Sequence, residues 1–512
     1  MIKTIRIVAL LLVLSLAVPF SAQDSFTMTP LGTYSHGGFD ESASEIAAYD
    51  AFTQRLFVTN SEVDALDILD ISDPANITLF AQIDLTEYGD GIQSVSVFDG
   101  LVAAAVDAEE VDGAGTVVFL DTDGNFLNSV QVGVLPDMLT FTPDGSKVLT
   151  ADEGEPNDEY TVDPLGSVSI IDLADGVENA TVTIVTFEDV EIPEGVRIFG
   201  PNATPAQDLE PEFIAISPDG ATAFVALQEN NALGVIDIAS ASVSAIVPLG
   251  VKDHSLEGNE LDAGTDDGTI NITNWSVFGL YQPDGIATYE VDGEVYIVTA
   301  NEGDTRDYDG YSEEGEIGES AIDPDFPDFE TLTTEEAILG LGLTEADGDT
   351  DGDGDLDEIY IPGARSFSIW ASDGTLVWDS GAQFEEITAE ALPDDFNSTN
   401  DKNGDFDGRS DNKGPEPEGV TIGVIGDVTY AFIVLERVGG IMVYDITDPT
   451  APTFINYTNN RDFSGNAEEG TAGDLGPESS VFIPAMDSPT GTDLLVVTNE
   501  VSGTTTIFEI SQ

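Results

Sequence analysis

The chain has 512 residues, with 99 aspartates and glutamates against 13 lysines and arginines, a formal net charge of −86, and no cysteine. That charge excludes ordinary binding to nucleic acid or to anionic membranes. It favours cation binding, or a saline medium that screens the self-repulsion. Without cysteines there are no disulfides and no thiol chemistry, so the fold must rest on its core, on ring closure or on bound ions.

The first element in chain order is a leader. Lys3 and Arg6 precede the apolar stretch Ile7–Val18, which is too short to span a bilayer, so residues 1–22 read as a secretory signal. The reading predicts an exported protein, secreted or periplasmic, with no transmembrane segment elsewhere and a monomeric state.

Residues 23–512 carry a unit repeated seven times. A first strand opens on an acidic or amide residue, at Glu45, Gln93, Asp137, Glu212, Asp284, Glu418 and Glu478. A tight hairpin follows, as in FTPDGSKVLT and ISPDGATAFV, whose Pro-Asp-Gly turns join antiparallel neighbours. The second strand ends in an acid, at Glu62, Glu109, Glu153, Glu229, Glu302, Glu436 and Glu500. An alternating third strand comes next, such as LDILDI or SVSIIDL, then a weaker fourth such as ITLFAQIDL. Four-stranded units repeated at this spacing are propeller blades. The expected fold is all-β, a single seven-bladed β-propeller. The last repeat stops at its third strand, and FTMTPLGTYS at Phe26–Ser35 is expected to supply the fourth and close the ring.

Most of the acids read as a solvated, salt-adapted surface. The two sets that recur in register do not. In a propeller both sets emerge toward one mouth of the central channel. Carboxylates about 8 Å apart repel by about 2 kcal/mol at an effective dielectric near 20, which favours protonation or a cation among them. Glu153, Glu155, Glu212, Asp284, Glu302, Asp304, Glu418 and Glu478 form the richest sector, and the expected ion is Ca2+, a hard cation that takes oxygen ligands. The alternative is that each acid ties down its own blade.

The fifth repeat carries an insertion at 303–364 with a second calcium signal. DGDTDGDGDLDE offers Asp347, Asp349 and Asp351, then Gly352, Asp353, Asp355 and Glu358. This is the spacing of an EF-hand loop, with Gly354 where an apolar residue is usual and no clear helix after it. Its expected role is to order the insertion.

The few basic residues gather in loops on the acidic face. Arg306, Arg365 and Arg437 are the expected contacts for an anionic ligand group, since a guanidinium fork suits phosphate or carboxylate. Pairing with surrounding acids is the competing reading. His36 and His254 are the only histidines, and no nucleophile elbow, phosphate loop or zinc motif is present.

The stretches LPDMLTFTPDGSKVLTADEGEPNDEYTVDPLGSVSIIDL, GLYQPDGIATYEVDGEVYIVTANEGDTRDYDG, GARSFSIW and KGPEPEGVTIG resemble the choice-of-anchor I family of exported bacterial propellers. The resemblance runs from about Glu45 to the C-terminus. Some relatives carry an alkaline phosphatase label, and animal cell-surface glycoproteins are similar. The resemblance implies the propeller fold and export. Its recurrent stretches include Glu153, Glu155, Glu212, Asp284, Glu302, Asp304, Arg306, Arg365, Glu416 and Glu418 of this chain. Two functional readings stand at this point. One is a calcium-binding module for a glycan or other oxygen-rich partner, and the other is a metal-dependent phosphoesterase.

Overall fold

The computed structural model describes residues 26–265 and 267–512, so the leader expected at 1–22 lies outside the described residues. The protein is all-β and built from four-stranded antiparallel sheets, seven among the described residues. The first comprises Ala47–Asp50, Arg55–Asn60, Ala65–Asp70 and Thr78–Asp84, joined in sequence order. Its successors open at Ile92–Phe98, Pro136–Phe141, Pro211–Ile216, Ile286–Val291, Pro417–Ile425 and Pro477–Ile483. Each opening strand contacts the opening strand of the next sheet, and that of the seventh contacts that of the first. This is a β-propeller arrangement.

Burial explains the sequence pattern of the strands. The second and third strands of a sheet are covered on both faces by neighbouring sheets, so Arg55–Asn60 and Ala65–Asp70 are almost wholly buried. The fourth strand, Thr78–Asp84, is largely exposed, and its sequence signal is correspondingly weak. Apolar clusters fill the spaces between adjacent sheets. Phe57, Leu66 and Ile68 meet Val95, Val102 and Val118 between the first two. Leu56, Val58 and Leu69 meet Leu494, Val496 and Ile507 between the first and the seventh.

The two Pro-Asp-Gly hairpins follow one rule. In Thr142–Gly145 and again in Ser217–Gly220, a hydroxyl donates to the turn aspartate, at 2.8 and 2.7 Å, and the glycine takes a positive φ, 67° and 72°.

Thr27–Ser35 runs antiparallel to Thr504–Ser511, from Thr27 opposite Ser511 to Ser35 opposite Thr504, with an irregularity between Pro30 and Gly32. His36 follows this strand. Its Nδ1 lies 2.7 Å from Asp67 Oδ2 and its Nε2 lies 2.8 Å from Thr505 Oγ1, which ties the paired strands Thr27–Ser35 and Thr504–Ser511 to the first sheet.

The 303–364 insertion is more than a loop. Ile317, Leu332, Ile338, Leu341, Leu343 and Ile361 pack with Leu261, Ala263 and Val277 into an apolar cluster of their own. A small sheet of Val251–Asp253, Phe278–Leu280 and Tyr360–Ile361 joins the two segments. No sequence motif links residues 251–280 to the insertion; the link is made by this shared core and sheet.

Candidate functional site

The opening strands aim their acids by a shared local device. Proline precedes Asp137, Glu212, Asp284, Glu418 and Glu478. In four of these strands the ladder register breaks around the acid, between Pro136 and Met138, Pro211 and Ile214, Pro417 and Val420, and Pro477 and Ser480. A break of this kind leaves one residue unpaired and re-aims its side chain, and proline loses no ladder bond at a strand start. The residue before the proline has a positive φ at Leu135 (50°), Gln282 (40°) and Glu416 (49°). Strain at a non-glycine residue of this kind is of order 1–3 kcal/mol and tends to gather at functional sites.

The re-aimed acids line a cavity of about 590 Å³ at the channel mouth. All eight carboxylates of the expected sector are there: Glu153, Glu155, Glu212, Asp284, Glu302, Asp304, Glu418 and Glu478. Glu45, Asp137, Glu229, Glu436 and Glu500, marked as repeat positions but not as ligands, are there too. A narrower cavity of about 370 Å³ shares Glu45, Asp137, Asp284 and Glu478 and continues between Met138, Phe213, Ile286 and Val420.

Two repeat acids do not converge. Asn60 and Asn499 occupy the same place in their sheets, opposite the first residue of the third strand. Glu500 follows Asn499 directly, whereas Glu62 comes one residue too late. It is exposed and accepts the Gly38 amide at 2.8 Å, while Ser61 takes the inward place and donates to Glu45 at 2.5 Å. Glu109 is exposed as well, with half-buried Asp107 directly after the strand instead.

Three groups of carboxylate oxygens lie within 4.8 Å of one another at this mouth: Glu153/Glu212/Glu229, Asp284/Glu418/Glu478 and Glu302/Glu418/Glu436. Burial, reinforced by neighbouring acids, raises Asp137 to about 7 and Asp284 to about 8. The same causes push Glu153, Glu212, Glu418 and Glu478 well above the usual carboxylate range. Glu212, Glu229 and Glu418 each bury an oxygen that has no hydrogen-bond partner. Burial alone would raise the cost of such charges, so the mouth favours protons or a cation.

Two of the three expected anion-binding arginines are spent inside the fold. Arg306 is fully buried and pairs with Asp208 and, at 2.7 Å, with Glu210. Arg365 is buried against Glu385 at 2.7 Å and donates to the carbonyls of Asp262, Ser410 and Asn412. Both guanidiniums are thus enclosed by acceptors of the fold, and neither is among the residues that line the mouth cavity. Arg437 does line the mouth, bonded to Glu416 at 2.9 Å and Glu436 at 3.0 Å. Lys413 joins it and bridges Glu302 at 2.6 Å and Glu416 at 3.2 Å. Its place in the loop before GPEPEG was visible in the sequence, but its role at the mouth was not.

The insertion keeps part of the expected loop and changes its register. Asp349, Asp351 and Asp353 form one exposed group. Asp355 joins Asp357 and Asp323 in a second, held by a bridge between Ile322 and Leu356. Asp347 instead pairs with Arg197 at 2.6 Å, and Glu358 accepts the Tyr360 hydroxyl at 2.7 Å. The twelve-residue EF-hand register is therefore not reproduced, because both end residues have partners outside the loop. Neither histidine reaches the mouth; His254 is buried with its Nδ1 2.7 Å from the Asn259 carbonyl.

Among the described residues no helix is long and apolar enough to cross a membrane. The chain is similar to Gigasin-3a of Magallana gigas, at 32% identity over 167 residues. That match covers 30% of this chain and 58% of the relative. It is also similar to a mesenchyme-specific cell surface glycoprotein of Strongylocentrotus purpuratus, at 29% identity over 236 residues, covering 39% of this chain and 30% of the relative. The matched regions thus span less than two thirds of either relative's length. Two solved structures resemble it at low identity. Kuenenia stuttgartiensis hydrazine synthase shows 14% identity and a TM-score of 0.47 over 93% of this chain and 97% of that one. The Cps50 (Swd1) β-propeller domain of Myceliophteria thermophila shows 9% and 0.45 over 96% and 100%. The profile of the choice-of-anchor I domain matches residues 45–449, the greater part of the chain, and the protein belongs to that family.

Proposed function

We propose that the seven sheets are the blades of one ring, closed by Thr27–Ser35 on the last sheet, and that the ring is an exported or cell-surface binding module. Its acidic mouth holds Ca2+ and presents it to an oxygen-rich ligand such as a glycan. The observation that carries this reading is that Glu212, Glu229 and Glu418 line a cavity crowded with acids and each buries an oxygen without a hydrogen-bond partner. A hard cation that accepts six to eight oxygens would satisfy them, with open positions left toward solvent. The cycle of contacts between opening strands supports closure. Family membership fits export or surface location. The phosphoesterase reading loses Arg306 and Arg365 to the interior and keeps only Arg437 and Lys413, both already bonded to acids.

The test begins with mature protein stripped by chelator and reloaded with calcium in high salt. It is then passed over immobilised glycans and assayed in parallel on p-nitrophenyl phosphate. The module reading predicts retention that needs calcium and is lost in Glu418→Gln, without turnover. Calcium-dependent turnover that disappears in Glu302→Gln would replace it with the phosphoesterase.

A further inference from the structure

The three carboxylate groups at the mouth are not alike. Glu302 and Glu436, in the third group, already have donors. Lys413 Nζ lies 2.6 Å from Glu302 Oε1, and Gln228 Nε2 lies 2.8 Å from Glu302 Oε2. Glu436 Oε1 accepts from Asn400 at 2.7 Å and from Arg437 at 3.0 Å. In the other two groups none of the six carboxylates has an ion-pair partner among the described residues. Glu212 and Glu229 in the first are 7% and 5% exposed, Glu418 in the second is 8% exposed, and each buries an oxygen without a hydrogen-bond partner.

The same acid chemistry thus meets two different solutions within one cavity. Where a lysine reaches in, Glu302 and Glu436 find donors within the protein, and only Glu418, shared with the second group, does not. Where none does, the oxygens are left for something small, positive and rich in coordination sites. Glu418 belongs to both the second and the third group and has no ion-pair partner among the described residues, so a cation in the second group would also serve it. The Lys413 side chain is itself mostly buried and bound to both Glu302 and Glu416, which holds its ammonium in the third group rather than in solvent.

We infer that Lys413 is a tethered cation filling the third group, and that the mouth therefore takes two divalent ions, one at Glu153/Glu212/Glu229 and one at Asp284/Glu418/Glu478. The inference rests on the reading of the mouth as a calcium site and sets its number and places. An ammonium held in this position also repels a third ion, since like charges a few ångströms apart repel more strongly in a half-buried site than in water.

The experiment counts calcium bound per chain by equilibrium dialysis of chelator-stripped, intact protein, with circular dichroism confirming each variant's fold. Differences from the unmodified protein remove any contribution of the insertion. Glu229→Gln and Glu418→Gln should each lose one ion, and Glu436→Gln should lose none. Lys413→Met should gain one, as the third group becomes free to bind. If Lys413→Met does not fold, Glu436→Gln alone decides: loss of an ion there places calcium in the third group and overturns the inference. An unchanged count in folded Lys413→Met overturns it equally. If neither Glu229→Gln nor Glu418→Gln loses an ion, the mouth holds none, and the calcium reading falls together with the inference.

Discussion

Arg306 sits between Asp208 and Glu210, and all three side chains are shut off from water. Removing one partner of such a group leaves uncompensated buried charge, which costs about 3–5 kcal/mol. Arg306→Ala should therefore lower the unfolding free energy by that order, read from chemical denaturation with or without calcium. Intact stability together with a selective loss of ligand would restore Arg306 to the site. The sequence showed this arginine on the acidic face but not which of many acids it meets, because Asp208 and Glu210 lie almost a hundred positions away. Residue-level signals failed in the same way at Glu62. Ser61 and Glu62 both lie in the turn after Arg55–Asn60, where one position decides whether a side chain reaches the mouth, and Ser61 holds that position. Lys413 was legible as a rare basic residue and illegible as a counter-ion, since its reach to Glu302 depends on how two loops pack.

At the scale of elements, regular periodicity carried most of the information. The hairpin motif, the continuous apolar second strands and the alternating third strands marked the sheets in the right order, and Phe26–Ser35 marked the strand that pairs with Thr504–Ser511. The proline before the acid was equally visible. Its consequence was not, because a register break is a property of two strands and the sequence shows one at a time. The insertion shows the same limit from the other side. DGDTDGDGDLDE fitted a local template, but Arg197 takes Asp347, Tyr360 takes Glu358, and Asp323 supplies the acid that no local spacing could reveal. The core shared with Leu261 and Val277 was hidden because those residues precede the fifth sheet and pack back across it.

For the whole molecule the mouth sets how stability responds to pH. Burial first, with smaller contributions from neighbouring groups, raises Glu45, Asp137 and Asp304 to about 7 and Asp284 and Glu436 to about 8. In the unfolded chain such groups titrate near 4. The folded state thus holds more protons between these limits. Its stability is fullest below about pH 4 for these groups and falls as pH rises through 7 to 8. Metal-free protein at constant high ionic strength should melt progressively lower from pH 5 to pH 9. Calcium, which replaces protons among the same oxygens, should flatten that slope. A slope unaffected by calcium would mean the ions bind elsewhere.

The central claim is that divalent ions sit among the carboxylates of the mouth, and its most direct test is an anomalous difference map from crystals grown with calcium. The account predicts two peaks in the mouth. Each should lie about 2.3–2.6 Å from carboxylate oxygens, one set from Glu153, Glu212 and Glu229 and the other from Asp284, Glu418 and Glu478, with none between Glu302 and Glu436. A mouth without a peak, in crystals that show calcium bound at the Asp349–Asp357 segment, would contradict it.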